Sequence, residues 1–177
     1  MNININMRNW HIKDIPSLTE FANNKSVSDN LRDAFPFPYT IDDARRFIKM
    51  TKNKDKTKIF FAIVLDDKAI GGIGGHIMGD VYRKNIEIGY WLAQPFWGKG
   101  IITYCLKKFV HYLYENYDIE RIYAETYENN VGSHKVLLKA GFTHEATLRK
   151  NVIKNNILLN THVYSILKEE YVKFYKK

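Results

Sequence analysis

The chain has one cysteine, four prolines and ten glycines in 177 residues. A single Cys105 excludes an internal disulfide. Its apolar setting, Ile101-Ile102-Thr103-Tyr104-Cys105-Leu106, reads as a buried thiol in a reducing, cytoplasmic compartment. So little proline and glycine excludes collagen-like or linker composition. No apolar run approaches the roughly 20 residues needed to cross a bilayer, so no membrane partner is expected. The opening Met1-Asn2-Ile3-Asn4-Ile5-Asn6 lacks a basic region followed by an apolar one, and no signal peptide is read. The six histidines (His11, His76, His111, His134, His144 and His162) show no ligand spacing such as His-Glu-x-x-His, and no metal is expected. There is no Gly-x-Ser-x-Gly elbow and no Walker loop. Acids are the scarcer charge: 19 Asp and Glu stand against 27 Lys and Arg, a formal balance of +8.

What is present points to a packed globular chain. Twelve Tyr, ten Phe and three Trp within an apolar fraction of 45% exclude a disordered one. The length suits a single domain over residues 1–177. The basic balance favours an anionic partner: nucleic acid, a membrane surface or a phosphorylated small molecule. Part of it is local, in Lys52, Lys54, Lys56 and Lys58 of one loop and in Lys173, Lys176 and Lys177 of a frayed tail.

Periodicity orders the elements. Asn2 to Trp10 alternates as a strand. Asp14 caps a helix with Pro16 in its first turn, where a missing N–H costs little. Phe35-Pro36-Phe37-Pro38-Tyr39 is extended, because each proline disfavours helix at the residue before it. Thr40 and Asp43 form a capping box for a second helix. Strands follow over Ile59–Leu65, Ala69–Met78 and Asn85–Leu92, and then a loop, Gln94-Pro95-Phe96-Trp97-Gly98-Lys99-Gly100. Ile102, Leu106, Phe109 and Leu113 draw one helical stripe. Arg121–Tyr127 is a strand. Asn130 caps a short helix that Gly141 ends, and Phe142–Ile153 with Ile157–Leu167 closes as a hairpin. The fold class is α/β: a single mixed, mostly antiparallel twisted sheet of about seven strands with helices on both faces. The glycines at 71, 72, 74 and 75 read as a strand needing close backbone approach rather than as a nucleotide motif.

The loop before the long helix is the sharpest feature. The first N–H groups of a helix lack internal partners, and the dipole there is positive. Glycines admit a phosphate close to the backbone, and Lys99 adds charge. A diphosphate site and a plain tight turn both account for it.

Ile88-Gly89-Tyr90-Trp91-Leu92, Trp97-Gly98-Lys99-Gly100-Ile101, Asn130-Val131-Gly132-Ser133 and Lys139-Ala140-Gly141-Phe142, in this order and spacing, resemble the GNAT superfamily of acetyl-CoA-dependent N-acetyltransferases. The likeness is greatest to the branch that acetylates N-terminal alanines of ribosomal proteins, and it covers nearly the whole chain. The family's loop, Gln/Arg-x-x-Gly-x-Gly/Ala, falls on Trp97, Gly100 and Ile102; Gly100 matches and the other two depart. The resemblance implies acetyl-CoA held by Trp97, Gly98, Lys99, Gly100, Ile101 and Ile102, with its pantetheine arm paired along Tyr90, Trp91 and Leu92 and touched by Asn130 and Ser133. Ile102, where a small residue is usual, raises the question of steric fit.

Such a reaction needs a neutral amine, an N–H donor for the oxyanion and a proton or hydrogen bond for the leaving sulfur. An α-amine, with a pKa of about 8, needs less help from a base than a lysine at about 10.4. Backbone near Trp91 is the oxyanion donor expected. Glu87 and Glu125, each in an apolar strand, are the two candidate bases, acting through water. In the related branch an acid on the strand after Gly-Phe has that role, and here that place falls at about Val152, so the base stays open. Many members use a tyrosine seven past the asparagine as the acid; Leu137 stands there, and Ser133 is the residue left to bond the sulfur. The acceptor enters between the first helices and the closing hairpin. It is a protein N-terminal amine or a small amine; the oligomeric state, monomer or homodimer, stays open. Nucleic acid is not expected as a partner. The rival reading is a non-catalytic basic module that binds RNA or the ribosome and keeps a degenerate cofactor cleft.

Overall fold

The computed structural model describes residues 4–53 and 55–175. Seven strands form one sheet in the order β1-β2-β3-β4-β5-β7-β6. The strands are β1 (Ile5–Arg8), β2 (Lys58–Leu65), β3 (Lys68–Ile77), β4 (Asn85–Leu92), β5 (Arg121–Tyr127), β6 (Thr143–Lys154) and β7 (Ile157–Leu167). Every neighbouring pair is antiparallel except β4 and β5. The helices are α1 (Ile15–Ala22), α2 (Lys25–Ser28), α3 (Ile41–Thr51), α4 (Ile101–Asn116), α5 (Val131–Lys139) and α6 (Lys168–Tyr175).

The sheet's two faces carry different layers. Leu106, Phe109 and Leu113 of α4 are fully buried against Ile63, Ile86 and Ile122 of the sheet. Such side chains each contribute about 1.5–3 kcal/mol on leaving water. Cys105 lies in this core, and burial pushes its thiol up to about 11, so it stays protonated. On the opposite face Leu18 and Ala22 of α1 and Ala44 and Ile48 of α3 pack with Trp10, Ala62 and Val64. Gly72 of β3 lies under this layer. A Cβ there would come within 2.8 Å of the Trp91 indole nitrogen and 3.1 Å of Trp10, so only glycine lets both rings cross the strand.

The capping box forms as expected: the Thr40 hydroxyl accepts from the Asp43 N–H and the Asp43 carboxylate from the Thr40 N–H at 2.8 Å. Other expectations change. The first strand is shorter than Asn2–Trp10; Ile5–Arg8 pairs with β2, and residues 1–3 lie outside the described residues. Trp10 leaves the strand to enter the core at 4% exposure. Asp14 sits at the N-cap of α1 but makes no cap bond with its side chain. Its buried carboxylate accepts two hydrogen bonds from Arg8, at 2.7 and 2.8 Å, and one from the His11 N–H. A buried carboxylate is better matched by a guanidinium fork than by one amide. The Phe35–Tyr39 segment is a series of bends with a cis Phe37–Pro38 bond rather than an extended run. The tail read as frayed contains α6. Tyr171, 1% exposed, stacks on Tyr114 at 4.8 Å between ring centres, and that burial orders the helix. Lys54, Lys176 and Lys177 lie outside the described residues. Among the described residues no helix is long and apolar enough to cross a membrane.

Candidate active site

The site begins where β4 and β5 part. Their parallel pairing runs only from Asn85 opposite Arg121 to Glu87 opposite Tyr123. Beyond Glu87 the two strands diverge, while β4 stays paired with β3 through Leu92. The phase of that second ladder is fixed by Met78 N–H to Asn85 O and Ala93 N–H to Ile70 O. Since antiparallel partners alternate between bonded and non-bonded pairs, Glu87, Gly89 and Trp91 direct their main-chain groups to β3. Tyr90 and Leu92 direct theirs into the opening. The oxyanion donor expected near Trp91 is therefore not Trp91 itself, whose N–H is taken up by the sheet; the N–H groups facing the opening belong to Tyr90 and Leu92. At Gly89 a Cβ would meet nothing within 4 Å.

The loop after β4 closes one end of this opening. Trp97, the departure from the family pattern, donates its indole N–H to the Leu92 carbonyl at 2.7 Å and ties the loop to the strand. Gly98 and Gly100 have φ of 74° and 76°, a region that glycine enters without strain. Among the described residues the main-chain N–H groups from Gly98 to Thr103 have no protein acceptor. They gather at the positive end of the 16-residue α4. Ile101 and Ile102 are 4% and 8% exposed and pack into the core. The Ile102 side chain thus points away from the loop, and its N–H remains available. Lys99 is exposed, its ammonium 5.6 Å from the Phe96 ring centre.

Across the opening, Asn130 caps α5 by accepting from the Ser133 N–H at 3.1 Å. The Ser133 hydroxyl meets the Tyr90 hydroxyl at 2.7 Å. Burial drives the Tyr90 pKa well above the ordinary tyrosine value, against the opposing effect of the Ser133 bond, so the phenol holds its proton, and either hydroxyl can donate to the other. Thr126, on β5 beyond the point of divergence, is buried, and its hydroxyl has no partner among the described residues. Sequence reasoning missed the Tyr90–Ser133 contact. The residues are 43 apart, and no local pattern joins them.

Glu87 and Glu125 lie on the other face of the same two strands, in the half-buried positions that alternate with Ile86, Ile88, Ala124 and Thr126. Glu87 pairs with Arg32 of the loop after α2. The charge of Glu125 bears on the same guanidinium. Glu125 accepts from the Asn151 amide at 2.7 Å, and Asn151 also bonds the Thr161 hydroxyl. Lys154, almost fully buried, holds Asp33 at 2.8 Å, and Asn155 holds Asp29 at 2.8 Å. The tip of the β6–β7 hairpin is thereby clasped to the α2 loop, over the face that bears the two glutamates. Val152, at the place of the related branch's acid, is half-buried on β6 and carries no carboxylate. Behind α5, His134, His144 and His162 meet, with ring centres 4.9 and 5.2 Å apart. Among the described residues no cluster of three or more His, Cys, Asp or Glu is arranged to hold a metal.

Comparisons with known proteins bear on the family and the fold. The family model described as "Acetyltransferase (GNAT) domain" matches residues 4–143. A Bacillus subtilis protein named "Putative ribosomal N-acetyltransferase YdaF" is 32% identical over 151 residues, covering 85% of this chain and 76% of that protein. The ribosomal-protein-serine acetyltransferase of Escherichia coli is 26% identical over 132 residues, 73% of each chain. Among solved structures, the microcin C7 self-immunity acetyltransferase MccE, in complex with acetyl-CoA and AMP, superposes with a TM-score of 0.81 at 26% identity over 92% of each chain.

Proposed function

The chain belongs to the GNAT acetyltransferase family, and from that premise we propose that it moves an acetyl group from acetyl-CoA to a protein N-terminal amine by direct attack. The observation that carries this is the divergence of β4 and β5 beside a loop of unpartnered N–H groups. The two features fit the two ends of an acyl-CoA. A diphosphate needs several main-chain donors at a helix start, and Gly98 to Thr103 supply them. An amide-bearing arm needs a strand edge, and Tyr90 and Leu92 supply one. The buried, unpartnered Thr126 hydroxyl marks the same neighbourhood as short of one polar group.

Acetyl-CoA brings the activated acyl thioester; the rest falls to the chain. Glu87 and Glu125 line the acceptor face and take a proton from the incoming ammonium through water. The freed nitrogen lone pair forms the bond to the acyl carbon. The N–H of Tyr90 or Leu92 faces the oxygen on which charge develops. As the carbon–sulfur bond breaks, Ser133, backed by the Tyr90 phenol, hydrogen-bonds the departing sulfur, which takes up the second proton lost by the nitrogen and leaves as the thiol. The products are an N-acetyl amine and a free thiol. An α-amine is the acceptor this arrangement suits, because its lower pKa asks less of two carboxylates already engaged by Arg32 and Asn151.

The test is free-thiol release from acetyl-CoA with N-terminal peptides, lysine side-chain peptides and small amines, repeated for Glu87→Gln and Glu125→Gln across pH. The reading expects turnover with α-amines and a changed acid limb in at least one variant. Acetyl-CoA left intact with every acceptor would overturn it. If neither variant alters the pH profile, both base assignments fall.

A further inference from the structure

We infer that Arg32 occupies the position of the acceptor's ammonium and, once displaced, selects acceptors that carry a carboxylate close to the reacting amine. The inference rests on the acceptor face assigned above. Two carboxylates, Glu87 and Glu125, face that side of neighbouring strands; Arg32 pairs with Glu87, and the charge of Glu125 bears on the same guanidinium. Its side chain is 69% exposed, against 21% for Glu87, so the guanidinium enters from solvent and can leave to it. A buried cation would not be exchangeable in this way. Lys154 is one: 7% exposed, it stays with Asp33 and closes the clasp.

An arriving ammonium meets Glu87 already paired with Arg32, and Glu125 held by the uncharged Asn151 amide. It binds by replacing the guanidinium, which then needs a new anion. An acceptor that brings a carboxylate satisfies both groups at once: its ammonium goes to Glu87 and Glu125, its carboxylate to Arg32. An acceptor with several cations and no anion leaves Arg32 unpaired beside like charge, which is unfavourable. The class selected is therefore a chain end whose α-amine is followed by acidic side chains, and polyamines are disfavoured.

The experiment measures thiol release by wild type, Arg32→Gln and Arg32→Glu with three acceptors: a peptide with acidic residues after its N-terminal residue, the same peptide with the corresponding amides, and spermidine. Circular dichroism and acetyl-CoA binding by calorimetry check that each variant is folded. The expected wild-type order is acidic, then neutral, then spermidine, by kcat/KM. Arg32→Gln should lose up to about fivefold on the acidic peptide, the scale of an exposed ion pair. Its KM for the neutral peptide should fall, because no guanidinium has to move. Arg32→Glu should raise spermidine above the acidic peptide. An order of acceptors unchanged among the three proteins would overturn the inference while leaving the acetyltransferase reading intact. Thiol release with none of the acceptors would overturn both.

Discussion

At the scale of single residues, the hydroxyl pair of Tyr90 and Ser133 is the most specific feature of the site. If it serves the leaving sulfur, Ser133→Ala should lower kcat by about 10²-fold, at the low end of general acid effects, and leave acetyl-CoA affinity nearly unchanged. Tyr90→Phe should lower it too, and the double variant should lose less than the product of the two, since the groups act in series. Steady-state thiol release decides this; fully multiplicative losses would separate the roles. Ser133 itself was legible in the sequence, from its place three after Asn130. Its partner was not, because Tyr90 arrives from another strand across the opening. Arg32 and Asn151 escaped for the same reason. Each reaches its glutamate over a long span of chain, 55 and 26 residues, and neither lies in a motif. The opposite case is Ile102, whose bulk seemed an obstacle in the sequence. Its burial in the α4 core removes the conflict, since a phosphate would use only its main chain.

At the scale of elements, periodicity was a good guide wherever one face of a strand or helix is buried. β4, β5 and β7 fall on the expected residues, and the α4 stripe is the centre of the core. It failed where a tertiary partner decides. The short α2 and the terminal α6 have little local signal; α6 is ordered by Tyr171 and Tyr175 packing on the body of the fold. Asp14 has the sequence of a cap and the contacts of an ion pair, because Arg8 is within reach. One element carries a pH dependence. Burial lowers the pKa of His134, on α5, below its usual 6.5; the Tyr127 carbonyl opposes this, and the neighbouring His162 and His144 add to it. The folded state then binds fewer protons there than the unfolded chain. Stability is complete above pH 6.5 and falls as pH drops through that value and on to the lower folded pKa. Since α5 carries Ser133 and is capped by Asn130, activity should follow. Denaturant unfolding from pH 8 to 5 should show this slope in wild type and a shallower one in His134→Gln. Equal slopes would place the acid sensitivity elsewhere.

At the scale of the whole molecule, the sheet works as a frame that is held together on one side and opened on the other. β4 is fully paired with β3, so it can part from β5 without losing its place. The helices on one face then bring the donor loop and Ser133 to the opening, and the loop of Arg32 and the hairpin tip cover the other face. The mixed sheet and its layers could be read from the order of elements. The parting could not, because both strands have unbroken strand patterns, and only the register shows where pairing stops. The most direct measurement is a crystal structure with acetyl-CoA bound. The account predicts the diphosphate on the N–H groups between Gly98 and Thr103 and the arm bonded to the main chain of Tyr90 and Leu92. A diphosphate bound elsewhere, with the space between β4 and β5 left empty, would contradict it.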